Sequence, residues 1–203
     1  MSTGPRPFSL ACERNRDPIL AVLREYLEGH ETLLEIGSGT GQHAVYFAKS
    51  LPGVIWQTSD RAENLQGIRS WLSEAGLPNT PEPLSLDVRE IWPLRTYDAT
   101  FTANTFHIMS WSDVIAFFEK LPGVLRHGGV LVVYGPFNEN GSFTSESNAA
   151  FDDSLRAQNP KMGLRDIEKV VALAEGAGLQ WIAHHAMPAN NRCLIFRNIS
   201  QET

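Results

Sequence analysis

No apolar run in this chain approaches the ~20 residues that a membrane-spanning helix needs, because charge, glycine or proline interrupts every hydrophobic segment. A membrane role is therefore not expected. The opening residues, MSTGPRPFSLACERNRD, also lack the apolar stretch and small-residue cleavage site of a secretory signal, so the expected location is the cytoplasm. Cysteine is scarce. Cys12 and Cys193 stand at opposite ends of the chain without CxxC or Cys/His spacing, which signals neither a disulfide framework nor a metal site. Basic residues are few as well: 17 Lys and Arg against 23 Asp and Glu give a formal net charge of -6. They are scattered, so no basic stripe exists to neutralise a phosphate backbone, and no nucleic-acid partner is expected. Acidic charge also keeps small domains soluble and does not by itself imply a cationic substrate.

What is present is the composition of one globular domain: 203 residues, 42% hydrophobic and 20% charged. A single domain over residues 1–203 is the working organisation. Asp17-Pro18 reads as an N-cap with proline at the first helical position, followed by an apolar stripe from Ile19 to Leu27 that stops at Gly29. Thr32 to Ile36 reads as a buried strand that runs into Gly37-Ser38-Gly39-Thr40-Gly41 and a helix carrying Ala44, Val45, Phe47, Ala48 and Leu51. The alternation continues with a strand at Val54 to Thr58, a helix from Leu65 to Gly76 and a weak strand at Leu84 to Val88. After a strand at Tyr97 to Ala103 come a helix from about Ser112 to Pro122 and a β-branched strand at Val130 to Tyr134.

Five strands alternating with helices predict a mostly parallel sheet with helices on both faces. The end of the chain departs from this. A helix at Arg165 to Glu175 is followed by strands at Leu179 to Met187 and Arg192 to Asn198, whose four-residue connection permits only a hairpin. The polar stretch at about 136–164 exceeds the length of an ordinary loop and reads as a lid containing a short helix.

The strongest chemical signal is the glycine turn after the first strand, where missing side chains let a cofactor approach the backbone at a helix N-terminus. A dinucleotide fingerprint needs its third glycine where this chain has Gln42, which argues against NAD. With Glu35 before them, Gly37, Ser38, Gly39 and Gly41 instead resemble the first motif of class I S-adenosylmethionine-dependent methyltransferases. Asp60 ends the second strand, where a carboxylate accepts both ribose hydroxyls or caps the segment that follows. In the resemblance, Asp87, followed by Val88, matches the acidic residue that accepts a hydrogen bond from the adenine amino group; a turn residue is the alternative. Asn104 closes the fourth strand at the carboxyl edge of the sheet, where ligands of open α/β folds bind.

The resemblance extends beyond the superfamily. Glu13-Arg14-Asn15, the run from Asn104 through His107 to Trp111, the segment from Gly135-Pro136-Phe137 to Asn148, Phe151 and Asp152, and Met187-Pro188-Ala189-Asn190-Asn191 are similar to a methyltransferase-like family catalogued as a domain of unknown function. It implies a Rossmann-like α/β fold with a seven-stranded sheet, the last strand antiparallel, and a lid insertion after strand 5. It implies S-adenosylmethionine as cofactor and carries no substrate.

Methyl transfer from a sulfonium is an in-line displacement governed mainly by positioning. His107, just beyond the fourth strand, is the candidate proton acceptor, with a packed histidine as the competing role. His43 is expected to cap the cofactor loop. Trp111, Tyr134, Phe137 and Phe151 form a candidate aromatic wall or part of the core. Asn138, Asn148 and Asp152 are candidate substrate contacts or turn residues, and Arg14 and Asn15, placed ahead of the first helix, are candidates for an acidic group. Enzymes that methylate nucleobase amino groups or glutamine amides carry Pro-Pro after the Asn or Asp that ends the fourth strand. Asn104-Thr105-Phe106 lacks it. The expectation is a methyltransferase acting on a small molecule; the alternative is a sensor or scaffold that binds S-adenosylmethionine without transferase activity.

Overall fold

The computed structural model describes residues 6–200. The chain divides into two compact units, one ending at Asp87 and one beginning at Val88. The first contains α1 (Leu10–Tyr26), β1 (Thr32–Ile36), α2 (Gln42–Ser50), β2 (Ile55–Asp60), α3 (Leu65–Ala75) and β3 (Leu84–Ser85). The second contains β4 (Tyr97–Ala103), α4 (Trp111–Lys120), β5 (Leu125–Asn138), α5 (Glu146–Gln158), β6 (Arg165–Asp166), α6 (Ile167–Gly176), β7 (Leu179–Met187) and β8 (Asn191–Asn198). No described helix is long and apolar enough to cross a membrane.

In the first unit β2 lies between β1 and β3, all parallel. Leu33, Leu34 and Ile36 are buried, and α2 and α3 supply Phe47, Ala48, Ile68 and Leu72 to the same core. The start of α1 differs from the sequence expectation. Its N-cap is Ser9, whose hydroxyl accepts from the Cys12 N–H, and Pro18 lies inside the helix. Proline removes one intrahelical bond, but tertiary contacts compensate. The buried Gln42 of α2 accepts the Ser9 N–H at 2.5 Å and donates to Glu13 at 3.3 Å, tying down a first turn that has no apolar stripe of its own.

In the second unit β4 pairs with β5 in parallel, β8 runs antiparallel between β5 and β7, and β6 extends β5 at Phe137 and Asn138. The expected mostly parallel α/β architecture with an antiparallel last strand is therefore present. β5 is longer than its β-branched centre predicts. It begins at Leu125 and passes an irregularity, pairing Leu125 with Tyr97 but Val130 with Ala99. The expected helix at Arg165 starts at Ile167 instead, because Arg165 and Asp166 are drawn into the ladder of β5. α4 opens with a capping box between Ser110 and Asp113, and its Phe117 and Phe118 meet Phe106, with Trp92 against Phe117 and Phe196 against Phe118. The polar insertion contains α5, a 13-residue helix capped by Ser145.

Gly129 sits at the β5 irregularity, where a Cβ would lie 2.7 Å from the Asp98 carbonyl oxygen and 2.8 Å from that of Arg126. Backbone cannot yield as a flexible side chain does. Gly129→Ala should therefore destabilise the protein by about 1–3 kcal/mol in urea or thermal unfolding. Gly123→Ala, with no atom within 4 Å of the added methyl, should stay within about 0.5 kcal/mol of the parent; equal behaviour of the two would contradict this reading.

Candidate functional site

The first unit builds a rigid turn at the carboxyl end of β1. Gly37, Gly39 and Gly41 have φ of 77, 55 and 87°, a region that favours glycine, and Gly41 is the N-cap of α2. Gly41 is also wedged against α3: a Cβ would sit 3.1 Å from the Ile68 Cα. At Gly39 the same construction meets nothing within 4 Å, so the turn is packed at its end and open at its middle.

Two carboxyl groups hold this turn. Asp60, at the end of β2, accepts the Gly39 N–H at 2.7 Å on Oδ2, while Oδ1 accepts the Arg61 N–H and the Asn64 amide, each at 2.8 Å. Glu35 is buried, and its Oε2 accepts from the Ser38 hydroxyl and the Trp56 indole, both at 2.9 Å. Burial pushes the Glu35 pKa up to about 7 against the opposing pull of those donors, and the Asp60 charge adds to the rise. Four further N–H groups of the turn are also engaged, while that of Thr40 has no partner among the described residues. Gly37 and Ser38 both donate to the Ser59 carbonyl, Gly41 to Ser38, and Gln42 to the Thr40 hydroxyl.

Arg14 and Asn15 do not precede the first helix; both lie within α1. Arg14 is exposed, and Asn15 Oδ1 is 2.7 Å from His43 Nε2. His43, expected to cap the loop, instead faces α1 and stacks on Phe47 at 5.2 Å. Burial lowers its pKa to about 4, so it is neutral at pH 7. Asp87 is half-buried at the end of this unit.

The second unit begins with the buried Val88 and gathers a separate cluster at the ends of β4 and β5. Asn104 follows β4 with φ of 60°, an uncommon conformation for a residue with a side chain and one that clusters at functional positions. His107 lies in the next turn and is 7% exposed, with the Phe151 ring edge-on at 5.3 Å. Gly135 of β5 lies beneath: a Cβ there would be 3.8 Å from His107 Nδ1 and 3.9 Å from Asn104 Oδ1. Neither the Asn104 amide nor the His107 ring has a hydrogen bond among the described residues. Burial, and secondarily the charge of Arg165, lowers the His107 pKa to about 4.

Arg165, which the sequence argument did not single out, clamps this turn. Its Nε donates to the Phe106 carbonyl at 3.0 Å, and its Nη2 donates to Met109 at 2.5 Å and Lys161 at 2.9 Å. The Gly163 N–H donates to the His107 carbonyl at 2.9 Å. Trp111 lies under the guanidinium at 5.9 Å.

Other predicted contacts are engaged within the fold. Tyr134 and Phe137 are buried in β5. Asp152 accepts the Leu164 N–H at 2.6 Å and pairs with Arg156 at 2.5 Å, and Asn148 donates to Thr144 and to the Asn190 carbonyl. These two tie α5 down on both sides. Asn138 retains a buried Oδ1 without a partner, and Phe151 is 40% exposed. No group of three or more His, Cys, Asp or Glu residues among the described residues is arranged to hold a metal ion.

A family model described as Protein of unknown function (DUF938) matches residues 6–198. The chain belongs to this family. The DUF938 chain also resembles solved structures, several of them named as methyltransferases. The mitomycin 7-O-methyltransferase MmcR is 19% identical with a TM-score of 0.81, over 93% of this chain and 54% of that one. An O-methyltransferase family 2 protein from Planctomyces limnophilus, in complex with apigenin, is 16% identical with a TM-score of 0.81, over 93% and 58%. PigF with SAH is 14% identical with a TM-score of 0.79, over 91% and 56%. These likenesses show the fold, that of class I S-adenosylmethionine-dependent methyltransferases. The DUF938 chain spans a little over half the length of the solved structures it matches.

Glu35 gives the turn a measurable signature. Its folded pKa of about 7 lies above the ordinary value of 4.5, so the folded state holds a proton that the unfolded state releases. The stability from this proton is fully present below about pH 4.5 and is lost as pH rises through about 7. The unfolding free energy of the parent minus that of Glu35→Gln should therefore fall, by up to about 3 kcal/mol, between about pH 5 and pH 8. A flat difference across that range would show that Glu35 is ionised in the folded protein.

Proposed function

We propose that this protein is an S-adenosylmethionine-dependent methyltransferase acting on a small molecule. The observation that carries the cofactor choice is the state of the glycine turn. A pyrophosphate needs free N–H groups at such a turn, whereas those of Gly37, Ser38, Gly39, Gly41 and Gln42 are already engaged. Asp60 beside the turn would also repel a phosphate. Open space over Gly39 and neighbouring carboxyl groups suit a phosphate-free cofactor carrying positive charge. In this reading Glu35, Gly37, Ser38, Gly39 and Gly41 form the cradle, Asp60 meets the ribose and Asp87 meets the adenine.

When bound, S-adenosylmethionine supplies a methyl group on a sulfonium sulfur. The chain's own task is to hold the acceptor in line with that methyl group. His107 is neutral and too weak a base at a pKa of about 4 to retain a proton, so its role is to accept or donate a hydrogen bond that orients the acceptor. The exposed Phe151 ring and the half-buried Trp111 offer aromatic contact. The aromatic and polar side chains gathered beside Gly135, namely His107, Phe151 and Asn104, favour a substrate-binding enzyme over a scaffold.

Isothermal titration calorimetry with S-adenosylhomocysteine should show one-site binding, with NAD giving no heat. Asp60→Ala should weaken that binding by about 1.5–3 kcal/mol, the scale of hydrogen bonds to a charged group. Absence of binding by folded protein, or binding of NAD in its place, would overturn the proposal.

A further inference from the structure

Resting on that methyltransferase reading, we propose that Gln42 is a positioning residue that latches the segment from Arg6 to Glu13 as a strap beside the glycine turn, and that release of this strap sets how fast the cofactor enters and leaves. Gln42 opens α2 directly after Gly41, and its side-chain amide grips Ser9 much as a paired strand would. Oε1 accepts the Ser9 N–H at 2.5 Å, and Nε2 donates to the Ser9 carbonyl at 3.4 Å. Nε2 also donates to Glu13 at 3.3 Å, and Oε1 accepts from the Thr40 hydroxyl at 3.1 Å, so one side chain joins strap and turn. The run Glu13-Arg14-Asn15, set apart in the sequence, thereby gains a role: Glu13 docks on Gln42 and Asn15 on His43, the first two residues of α2.

α3 holds the other end of the strap. The Pro7 carbonyl accepts the Trp71 indole N–H at 2.8 Å, and the Pro7 ring occupies a notch at Gly67, where a Cβ would lie 2.7 Å from the proline Cγ. The Arg6 guanidinium lies over the Trp71 ring at 4.0 Å and pairs with Glu74 at 2.9 Å. Trp71 also backs the glycine turn, since a Cβ on Gly41 would be 3.3 Å from the Trp71 Cβ. Between these two anchors the Cys12 thiol lies against the Thr40 side chain. The open space over Gly39 is therefore bordered by the first turn of α1, and a nucleoside seated on the turn is enclosed while the strap is latched.

Hydrogen bonds and ring contacts supply this hold, and burial does not. No side chain from Arg6 to Leu10 is buried, and Phe8 and Leu10 are 59% and 64% exposed. A segment held in this way opens at far lower cost than the core beneath it, which is what an element that moves over a ligand requires.

Cys12 reports the position of the strap, because the other cysteine, Cys193, is buried. The rate at which Cys12 reacts with the disulfide reagent DTNB is measured with and without saturating S-adenosylhomocysteine, and stopped-flow fluorescence gives the ligand's association and dissociation rates. Bound S-adenosylhomocysteine should slow the reaction of Cys12 several-fold. Gln42→Ala should speed it in the free protein by about fivefold or more, the factor expected when a hydrogen bond of ordinary strength is lost. The same variant should raise both the association and the dissociation rate of S-adenosylhomocysteine and change Kd less than either, whereas a residue that merely shapes the site would raise dissociation alone. Trp71→Phe, which removes the indole N–H that holds Pro7 and keeps a ring beside Arg6, should act in the same direction and decides the matter if Gln42→Ala does not fold. Unchanged association rates in folded variants, or equal reaction of Cys12 with and without bound ligand, would overturn the proposal. Calorimetry on the same samples separates the two readings: no heat with S-adenosylhomocysteine overturns the methyltransferase reading and the strap with it, whereas heat with unchanged rates overturns the strap alone.

Discussion

The hydrogen bond from the Gly39 N–H to Asp60 joins the turn after β1 to the end of β2, and the candidate cofactor cradle depends on it. Three glycines with positive φ would otherwise form a loop of high conformational freedom. Asp60 fixes its middle, the Ser59 carbonyl its beginning, and the contact of Gly41 with Ile68 its end. Glu35 stabilises the same arrangement from inside, through Ser38 and Trp56. An anion-binding loop keeps its N–H groups pointing outward and free. This one spends all but that of Thr40 on its own shape, which is the ground for proposing a sulfonium nucleoside rather than a pyrophosphate as its ligand.

On the second unit the turn after β4 is ordered by a side chain from elsewhere in the chain, Arg165. Asn104 adopts a positive φ and His107 is nearly buried, and neither side chain has a hydrogen bond among the described residues. Arg165 makes this arrangement stable by bonding the carbonyls on either side of His107, so the turn stays fixed while the imidazole remains available. The insertion that follows β5 contributes structure of its own. Asp152 and Asn148 spend their polar atoms anchoring α5, leaving Phe151 as its aromatic contribution beside His107.

Much of this was legible in the sequence where one physical signal dominates. The glycine turn, the strand at Thr32–Ile36 and the strand at Tyr97–Ala103 follow from apolar runs bounded by turn residues, and the C-terminal hairpin follows from its short connection. The start of α1 was not legible, because Ser9 and Gln42 lie 33 positions apart and Asp17-Pro18 offers a stronger local signal. The longer β5 was hidden by Gly128-Gly129, which reads as a strand start but forms an irregularity within the strand. Among candidate residues, the glycines and carboxylates at strand ends could be named because the proposed chemistry demands those types there. Arg165 could not, since its importance arises from the carbonyls of Phe106 and Met109, far away in sequence and carrying no side-chain signature. For Asn148 and Asp152 the sequence left two roles open, since polar residues in an insertion look alike whether they face a substrate or close a turn; in the structure both anchor α5.

The central claim is that the turn from Gly37 to Gln42 is built for S-adenosylmethionine and not for a dinucleotide. Hydrogen-exchange mass spectrometry with S-adenosylhomocysteine or NAD in excess tests it most directly. The account predicts that S-adenosylhomocysteine slows exchange in peptides covering residues 36–42 and 60–65, with no protection there from NAD. Equal protection by NAD, or none by S-adenosylhomocysteine, would contradict it.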